Sequence, residues 1–401
     1  MKKNLKNIHM THLVDLVFNE GVIGTRKTIM IMKDLRDMLS NETDSSITVT
    51  TKFDGSVSFF LGFNPENQKL FVAKKSIFNV VPKVYYNDED IDNDTSGDLA
   101  LKLKVALQEG SKLGITEGVY QGDVLFTKCD IKKQFIDNEE HYIFHPNTIV
   151  YAVPVSSDIG TMIGDAEFGI VWHTSYTGDC LSELSASFGE PIVEKFLKNK
   201  SIFMIDAVFD KTSDSIMFTC DARRHFDELL STIGRKFQNI KSVVLNSICN
   251  DKELLKLIHI FNNLQVRQNK KITNAKNHTE CFYDFIISRF LNEEEKKKTD
   301  DAKLKIRAKR DNILSFFTIH DYNDIVNVFD LVIHMDAAKM FLMGKLNHSS
   351  LKTFLKTDRG LHVTRPEGFV VIKNNEPLKL VDRYSFSQAN FSTEFLKGFN
   401  R

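Results

Sequence analysis

The segment Thr50-Thr51-Lys52-Phe53-Asp54-Gly55-Ser56 sets one lysine at the end of a β-branched run, with an acid and a glycine close behind it. A lysine amine is ordinarily protonated and has no lone pair to offer. Desolvation or a neighbouring cation lowers its pKa and frees that pair for attack on an electrophile. Lys52 is therefore a candidate nucleophile, Asp54 a residue that orients it or the turn, and Gly55 part of the turn itself. A solvated lysine leading into a tight turn is the plain alternative. The two part ways on whether further polar groups follow downstream, in order, on strands.

They do follow. Phe71-Val72-Ala73-Lys74-Lys75-Ser76-Ile77-Phe78 reads as a strand running into a turn with two lysines. Gly118–Phe126 reads as a buried strand interrupted by Gly122-Asp123, and Thr148–Val153 and Phe168–His173 are β-rich runs carrying Tyr151 and Trp172. Near the C-terminus, Pro366-Glu367-Gly368-Phe369-Val370-Val371-Ile372 precedes Leu378-Lys379-Leu380-Val381-Asp382-Arg383. Each run is short, rich in β-branched or aromatic residues, and bounded by Gly, Pro, Asn or Asp, which is how strands read.

In this order the segments resemble the covalent nucleotidyltransferase superfamily of ATP-dependent RNA and DNA ligases and mRNA capping enzymes. Phage-type RNA ligases and uncharacterised tailed-phage relatives are most similar. Lys52-Phe53-Asp54-Gly55-Ser56 is similar to motif I, Lys74-Lys75-Ser76 to the next basic motif, and Gly122-Asp123 to motif III with aspartate for the usual glutamate. Glu367-Gly368-Phe369-Val370 resembles motif IV and Lys379-Leu380-Val381 motif V. The N-terminal run Thr11–Gly21 is also similar to the tailed-phage relatives. The likeness covers residues 46–180 and 360–385. Three positions depart from it: Thr50 where a glutamate is frequent, Val57 where DNA ligases carry arginine, and Pro377 in place of the first motif V lysine.

The resemblance implies a reaction in which Lys52 attacks the α-phosphate of ATP, forms a lysyl-AMP phosphoramidate and releases pyrophosphate. Charge builds on phosphoryl oxygens in such a step, so cations must converge there. By the same likeness Lys379 would neutralise the α-phosphate, and Lys75 would touch ribose or phosphate. Glu367 and Asp123 would meet a divalent metal or the ribose, and Tyr151 or Trp172 would stack on the base. Mg²⁺, or Mn²⁺ in its place, suits this because it takes few carboxylates and keeps its waters and phosphate ligands. AMP would then pass to a 5′-phosphorylated RNA or DNA end for strand joining. The alternatives are a transferase that modifies a protein or small molecule, and a non-catalytic binding or assembly protein on a degenerate scaffold.

The implied fold is α+β, a ligase-type adenylation fold of antiparallel sheets. Only 18 residues follow Arg383, so no trailing OB domain is expected. Helical periodicity divides the rest: an N-terminal helical segment at 1–45, a first nucleotidyltransferase part at 46–220, an inserted helical domain at 221–358, and the final strands at 359–401. Thr11 is expected to cap a short helix, Thr25–Leu39 to be helical, and Asp98–Glu109 to be the clear helix of the first lobe. Ser201–Asp210 and Ser215–Cys220 read as a hairpin. In the insert, Ile325, Val328, Phe329, Val332 and Met335 keep one apolar face. A helical block of that size must bury its own core, so it reads as a domain, and a protein partner for it is one expectation.

Inside the insert, Lys303, Lys305, Arg307, Lys309 and Arg310 form a basic stretch, preceded by Lys296-Lys297-Lys298 and by Glu293-Glu294-Glu295. It could grip nucleic-acid phosphates, or pair with the neighbouring acids as a solvated helix. Asp92-Asn93-Asp94-Thr95-Ser96-Gly97 mimics the start of a calcium loop, but Leu103 stands where the bidentate glutamate belongs, so a capped turn is expected. The lone histidines, His12, His173 and His334 among them, lack metal-ligand spacing and read as structural.

With 53 basic and 53 acidic residues the formal net charge is zero, so no global field draws nucleic acid and any such surface must be local. Five scattered cysteines fit neither a disulfide framework nor a zinc site and suggest a reducing compartment. No run reaches membrane-spanning length. A cytoplasmic protein is expected, in the host cytoplasm if the chain is viral.

Overall fold

The computed structural model describes residues 10–40, 47–208, 218–346, 352–357, 360–363 and 367–384. The chain folds as two compact units. One comprises Met1–Met10, Ser46–Asp214 and Asn347–Lys379, and the other Thr11–Ser45, Ser215–Leu346 and Leu380–Arg401. The architecture is α+β.

The first unit is built of strands. In chain order they are β1 (Ile47–Lys52), β2 (Ser58–Phe63), β3 (Leu70–Ala73), β4 (Val119–Thr127), β5 (Lys132–Ile136), β6 (Glu139–Phe144), β7 (Ile149–Pro154), β8 (Phe168–Thr177), β9 (Ser185–Phe188), β10 (Ile202–Asp206), β11 (Lys352–Thr357), β12 (Gly360–Val363), β13 (Gly368–Lys373) and β14 (Glu376–Val381). β1 pairs antiparallel with β13, and β13 with β14. A second sheet runs β9-β8-β4-β2-β3, and a third runs β12-β11-β7-β6-β5. Two hairpins close on Asp137-Asn138 and Asn374-Asn375, all four residues at positive φ. Asn and Asp tolerate that conformation, and it matches the twist of a two-residue hairpin loop.

The second sheet buries one face under the helix Gly97–Gly110, which supplies Ala100, Leu103 and Ala106 to a core with Phe59, Tyr120, Phe168 and Trp172. The expected bounds of this helix hold to within a residue. The calcium-like loop is a node of ion pairs: Lys74 Nζ lies 2.8 Å from Asp94, which also meets Lys83 and Tyr85, and Lys104 lies 2.7 Å from Asp92.

Ile202–Asp206 is a strand and pairs parallel with β8, Ile202 opposite Phe168. Residues 209–217, the middle of the expected hairpin, lie outside the described residues, and Thr219 caps a helix that begins at Cys220. The insert also ends sooner than 358, because Lys352–Thr357 is a strand paired with β7. At the other end, Thr11 lies in a two-residue strand and caps nothing.

The second unit is helical. The N-terminal helix Gly21–Leu39 buries Ile31, Met32, Leu35 and Met38 and packs against Ser242–Asn250 and Cys220–Gln238. The first helices and the insert thus share one core, which neither stretch of sequence reveals alone. Its longest helix, Tyr322–Leu346, buries Ile325, Val328, Phe329 and Met335, with Val332 half-buried. Among the basic residues, Arg307 bonds Glu294 at 2.6 Å, Lys309 pairs with Glu253 at 2.9 Å, and Arg310 with Asp311 at 2.8 Å. Three of the five cations are spent locally.

His278 lies in this core, 5 % exposed, with Nε2 3.1 Å from Asn262 Oδ1 and its ring against Phe261 and Phe329. Burial pushes its pKa down to about 4. Between the unfolded value near 6.5 and that folded value, the unfolded chain takes up a proton that the folded chain refuses. Stability from this group is therefore full above about pH 6.5 and lost as pH falls toward 4, by up to about 3 kcal/mol. Denaturant melts at pH 7 and 4.5 should show a smaller acid loss in His278→Gln than in the wild type. Equal losses would contradict the assignment.

Candidate active site

β1 delivers Lys52 at its last residue, where the chain turns at Asp54-Gly55. The antiparallel register sets Gly368 opposite Lys52, so Glu367 arrives beside the lysine from 315 residues away. Lys52 Nζ and Glu367 Oε2 form an ion pair, with 26 % and 20 % of the two side chains exposed. Burial pushes the Glu367 carboxyl up; Lys52 and Lys379 pull it down without cancelling that rise. Lys379 is half-buried on β14. Lys52 pairs directly with Glu367, and Lys379 acts on the same carboxyl through its charge.

Asp54 acts as a clamp on the loop. It is 7 % exposed and accepts from Asn147 Nδ2 at 2.7 Å, the Thr148 N–H at 2.6 Å and the Ile149 N–H at 2.8 Å. Its own N–H donates to Tyr151 Oη at 2.8 Å. Four bonds fasten the turn after Lys52 to the start of β7. On its other side the loop lies on β4: the Ser56 N–H donates to the Val124 carbonyl at 2.9 Å, and a Cβ on Gly55 would sit 2.5 Å from Asp123 Cβ. Only glycine lets the loop lie so close.

Asp123 faces Lys52 from β4. Burial pushes its carboxyl up, but His173, with Ser58 and Lys52 adding to it, outweighs burial and holds the group below its ordinary value. His173 Nε2 lies 3.8 Å from Asp123 Oδ1, and its Nδ1 is 2.7 Å from Thr174 Oγ1. The histidine occupies a β-bulge: Gln121 pairs with Thr174 and Gly122 with Trp172, leaving His173 as the extra residue on β8. Bulges re-aim side chains in this way. Gly122 fits the same spot, since a Cβ there would meet the Val171 carbonyl at 2.8 Å. Further along this face Gln121 bonds both Ser58 and Tyr176.

Other sequence-predicted residues land elsewhere. Tyr151 is 1 % exposed, stacked on Phe144 and bonded to the Asp54 backbone, and Trp172 is fully buried among Phe59 and Phe196. Neither ring presents a face to a base, so the stacking role expected of one or the other does not fit their burial. Lys75 is exposed at the head of a 3-10 turn and makes no hydrogen bond or ion pair among the described residues. Lys303 and Lys305 lie on the helix Asp300–Ile319 in the other unit.

Sequence reasoning missed His173, Asn147, Ser58 and Gln121. A glycine inside a buried strand is a recognised sign of a bulge or close approach, so Gly122 was the available pointer to His173. Asn147 needed the fold, because nothing in its neighbourhood announces a partner 93 residues earlier.

Among the described residues no cluster of three or more His, Cys, Asp or Glu could hold a metal. A Mg²⁺ ion needs only one or two carboxylates, with water and phosphate oxygens as its other ligands; of the two predicted donors, Glu367 is paired with Lys52 and Asp123 lies beside His173. Among the described residues no helix is long and apolar enough to cross a membrane.

No curated protein and no solved structure matches this chain. A family model described as a family of unknown function, DUF6267, matches residues 7–395, and the chain belongs to that family.

Proposed function

We propose that the protein is a covalent nucleotidyltransferase of RNA-ligase type that forms a lysyl-AMP at Lys52. The pairing of Lys52 with Glu367 carries the reading. An otherwise ordinary lysine has at its amine a largely buried carboxylate whose affinity for protons burial has raised. As ATP binds, the Lys52 ammonium gives a proton to Glu367. The freed amine forms an N–P bond to the α-phosphorus, the bond to the bridging oxygen breaks, and pyrophosphate leaves. Lys379 offsets charge on the α-phosphate. Asp123 is the residue that would hold Mg²⁺, which when bound neutralises charge on the phosphates. Asp54 keeps the lysine loop in position and takes no proton.

AMP then passes to a 5′-phosphorylated polynucleotide end, and a 3′-hydroxyl displaces it to join the strands. Local pairing of Arg307, Lys309 and Arg310 favours a second reading of this later step, in which the acceptor is a protein or small molecule.

One assay tests both. Incubation with α-labelled ATP and Mg²⁺ should leave detergent-resistant label on the protein, absent in Lys52→Ala. Discharge by 5′-phosphorylated RNA or DNA, with joined product, supports the ligase. Label that no polynucleotide discharges supports the second reading, and no label with any nucleoside triphosphate defeats both.

A further inference from the structure

The site face of β4 continues past Asp123, away from Lys52. Residues two apart on a strand share a face and stand about 7 Å apart, so Gln121 is the next side chain along. It is half-buried and held at both ends. Tyr176 Oη donates to Gln121 Oε1 at 2.7 Å, and Gln121 Nε2 donates to Ser58 Oγ at 3.0 Å. Tyr176 is 5 % exposed, and burial pushes its phenol well above the ordinary value, so it keeps the proton it donates to the amide oxygen.

A primary amide has two N–H donors and two carbonyl lone pairs. One of each is spent here, which leaves one donor and one acceptor side by side on a rigid mount. Phe78, half-buried, packs on Tyr176 with ring centroids 5.3 Å apart and gives this part of the face an apolar floor. A nucleotide whose α-phosphate lies at Lys52 and whose sugar runs along β4 past Asp123 would bring its base to this point.

We infer that Gln121 reads the base of the nucleotide attacked by Lys52, and selects adenine through its N6 and N7 atoms. The inference rests on the nucleotidyltransferase reading above. On that edge adenine offers a donor beside an acceptor, the complement of what Gln121 has left. Guanine offers two acceptors there, N7 and O6, and would set O6 against the Gln121 carbonyl. Trp172 and Tyr151, both enclosed in the core, leave the reading to a polar group.

The test is equilibrium binding of ATP, 7-deaza-ATP and GTP to the full chain without Mg²⁺, by calorimetry, alongside labelling of Lys52. The wild type should prefer ATP over both analogues by ~10- to 100-fold, the range of one good bidentate base contact. Gln121→Ala should bind all three alike. Gln121→Glu, which keeps shape but loses the donor, should lose the preference for ATP over 7-deaza-ATP. Tyr176→Phe, which frees the amide to rotate, should weaken discrimination among the three nucleotides. Wild-type labelling with unchanged preferences in folded Gln121→Glu and Tyr176→Phe would overturn this inference and leave the proposed function standing. A wild type that binds and labels with no nucleotide brings down both.

Discussion

Glu367→Gln is expected to slow labelling of Lys52 by ~10²- to 10³-fold while changing ATP affinity only a few-fold. The amide keeps the size of the side chain and can still accept a hydrogen bond from Nζ, but it cannot take the lysine's proton. Positioned proton acceptors contribute roughly 10²- to 10⁴-fold, and the lower part of that range applies because water can reach the partly exposed pair. The pH profile separates this role from a structural one. Glu367 must be ionised to accept, and its carboxyl lies above its ordinary value, so wild-type labelling should rise as pH climbs through that raised pKa. Glu367→Gln should lack this limb, and Glu367→Asp, with a shorter reach, should regain the limb at a reduced rate. Labelling within about threefold of wild type, with the limb intact, would exclude Glu367 as the acceptor.

What could be read in advance followed from the range of the interactions involved. The chain order of Lys52, Asp123, Glu367 and Lys379 was legible because each sits in a strand or, for Glu367, directly before one, and local patterning encodes strands. That Glu367 lands on Lys52 depended on the β1–β13 register, which no local window contains; only the likeness to a known motif series linked them. The edge hairpin of β5 and β6 went unread. Lys132, Lys133 and Gln134 lie exposed on β5, so the strand has no buried stripe to announce it. Tyr151 and Trp172 misled for a related reason. An aromatic on a strand has two faces open to it, and sequence does not say which is the core. Trp172 turned inward opposite Gly122, and the bulge then brought the next residue, His173, to Asp123. The shared core of the N-terminal helix and the insert is another case of distant segments whose apolar faces are each legible while their pairing is not.

Asp54 distinguishes a catalytic acid from a structural one within the same tetrapeptide. Its carboxylate satisfies two main-chain N–H groups, Thr148 and Ile149, and the Asn147 amide, in a place that is 7 % exposed. Asp54→Ala removes one acceptor group and strands three donors, two of them backbone groups that cannot turn away to other partners. Bonds to a charged group are worth about 1.5–3 kcal/mol each, and a buried donor without a partner costs about 1–3 kcal/mol. These values overlap and do not add, so a net loss of about 3–5 kcal/mol is expected, the range for breaking a buried charged contact. Asp54→Asn should cost less, since its carbonyl can still accept from the backbone, although its amino group would face a donor. The consequence for chemistry is separate: once the clamp opens, the Lys52 loop is no longer tied to β7, and labelling should fall even at temperatures where the protein remains folded. Denaturant melts together with labelling at low temperature read the two effects independently. An Asp54→Ala protein as stable as wild type would show that the loop is held by its packing on β4 alone, through Gly55 and Ser56, and that the carboxylate's role lies in the reaction.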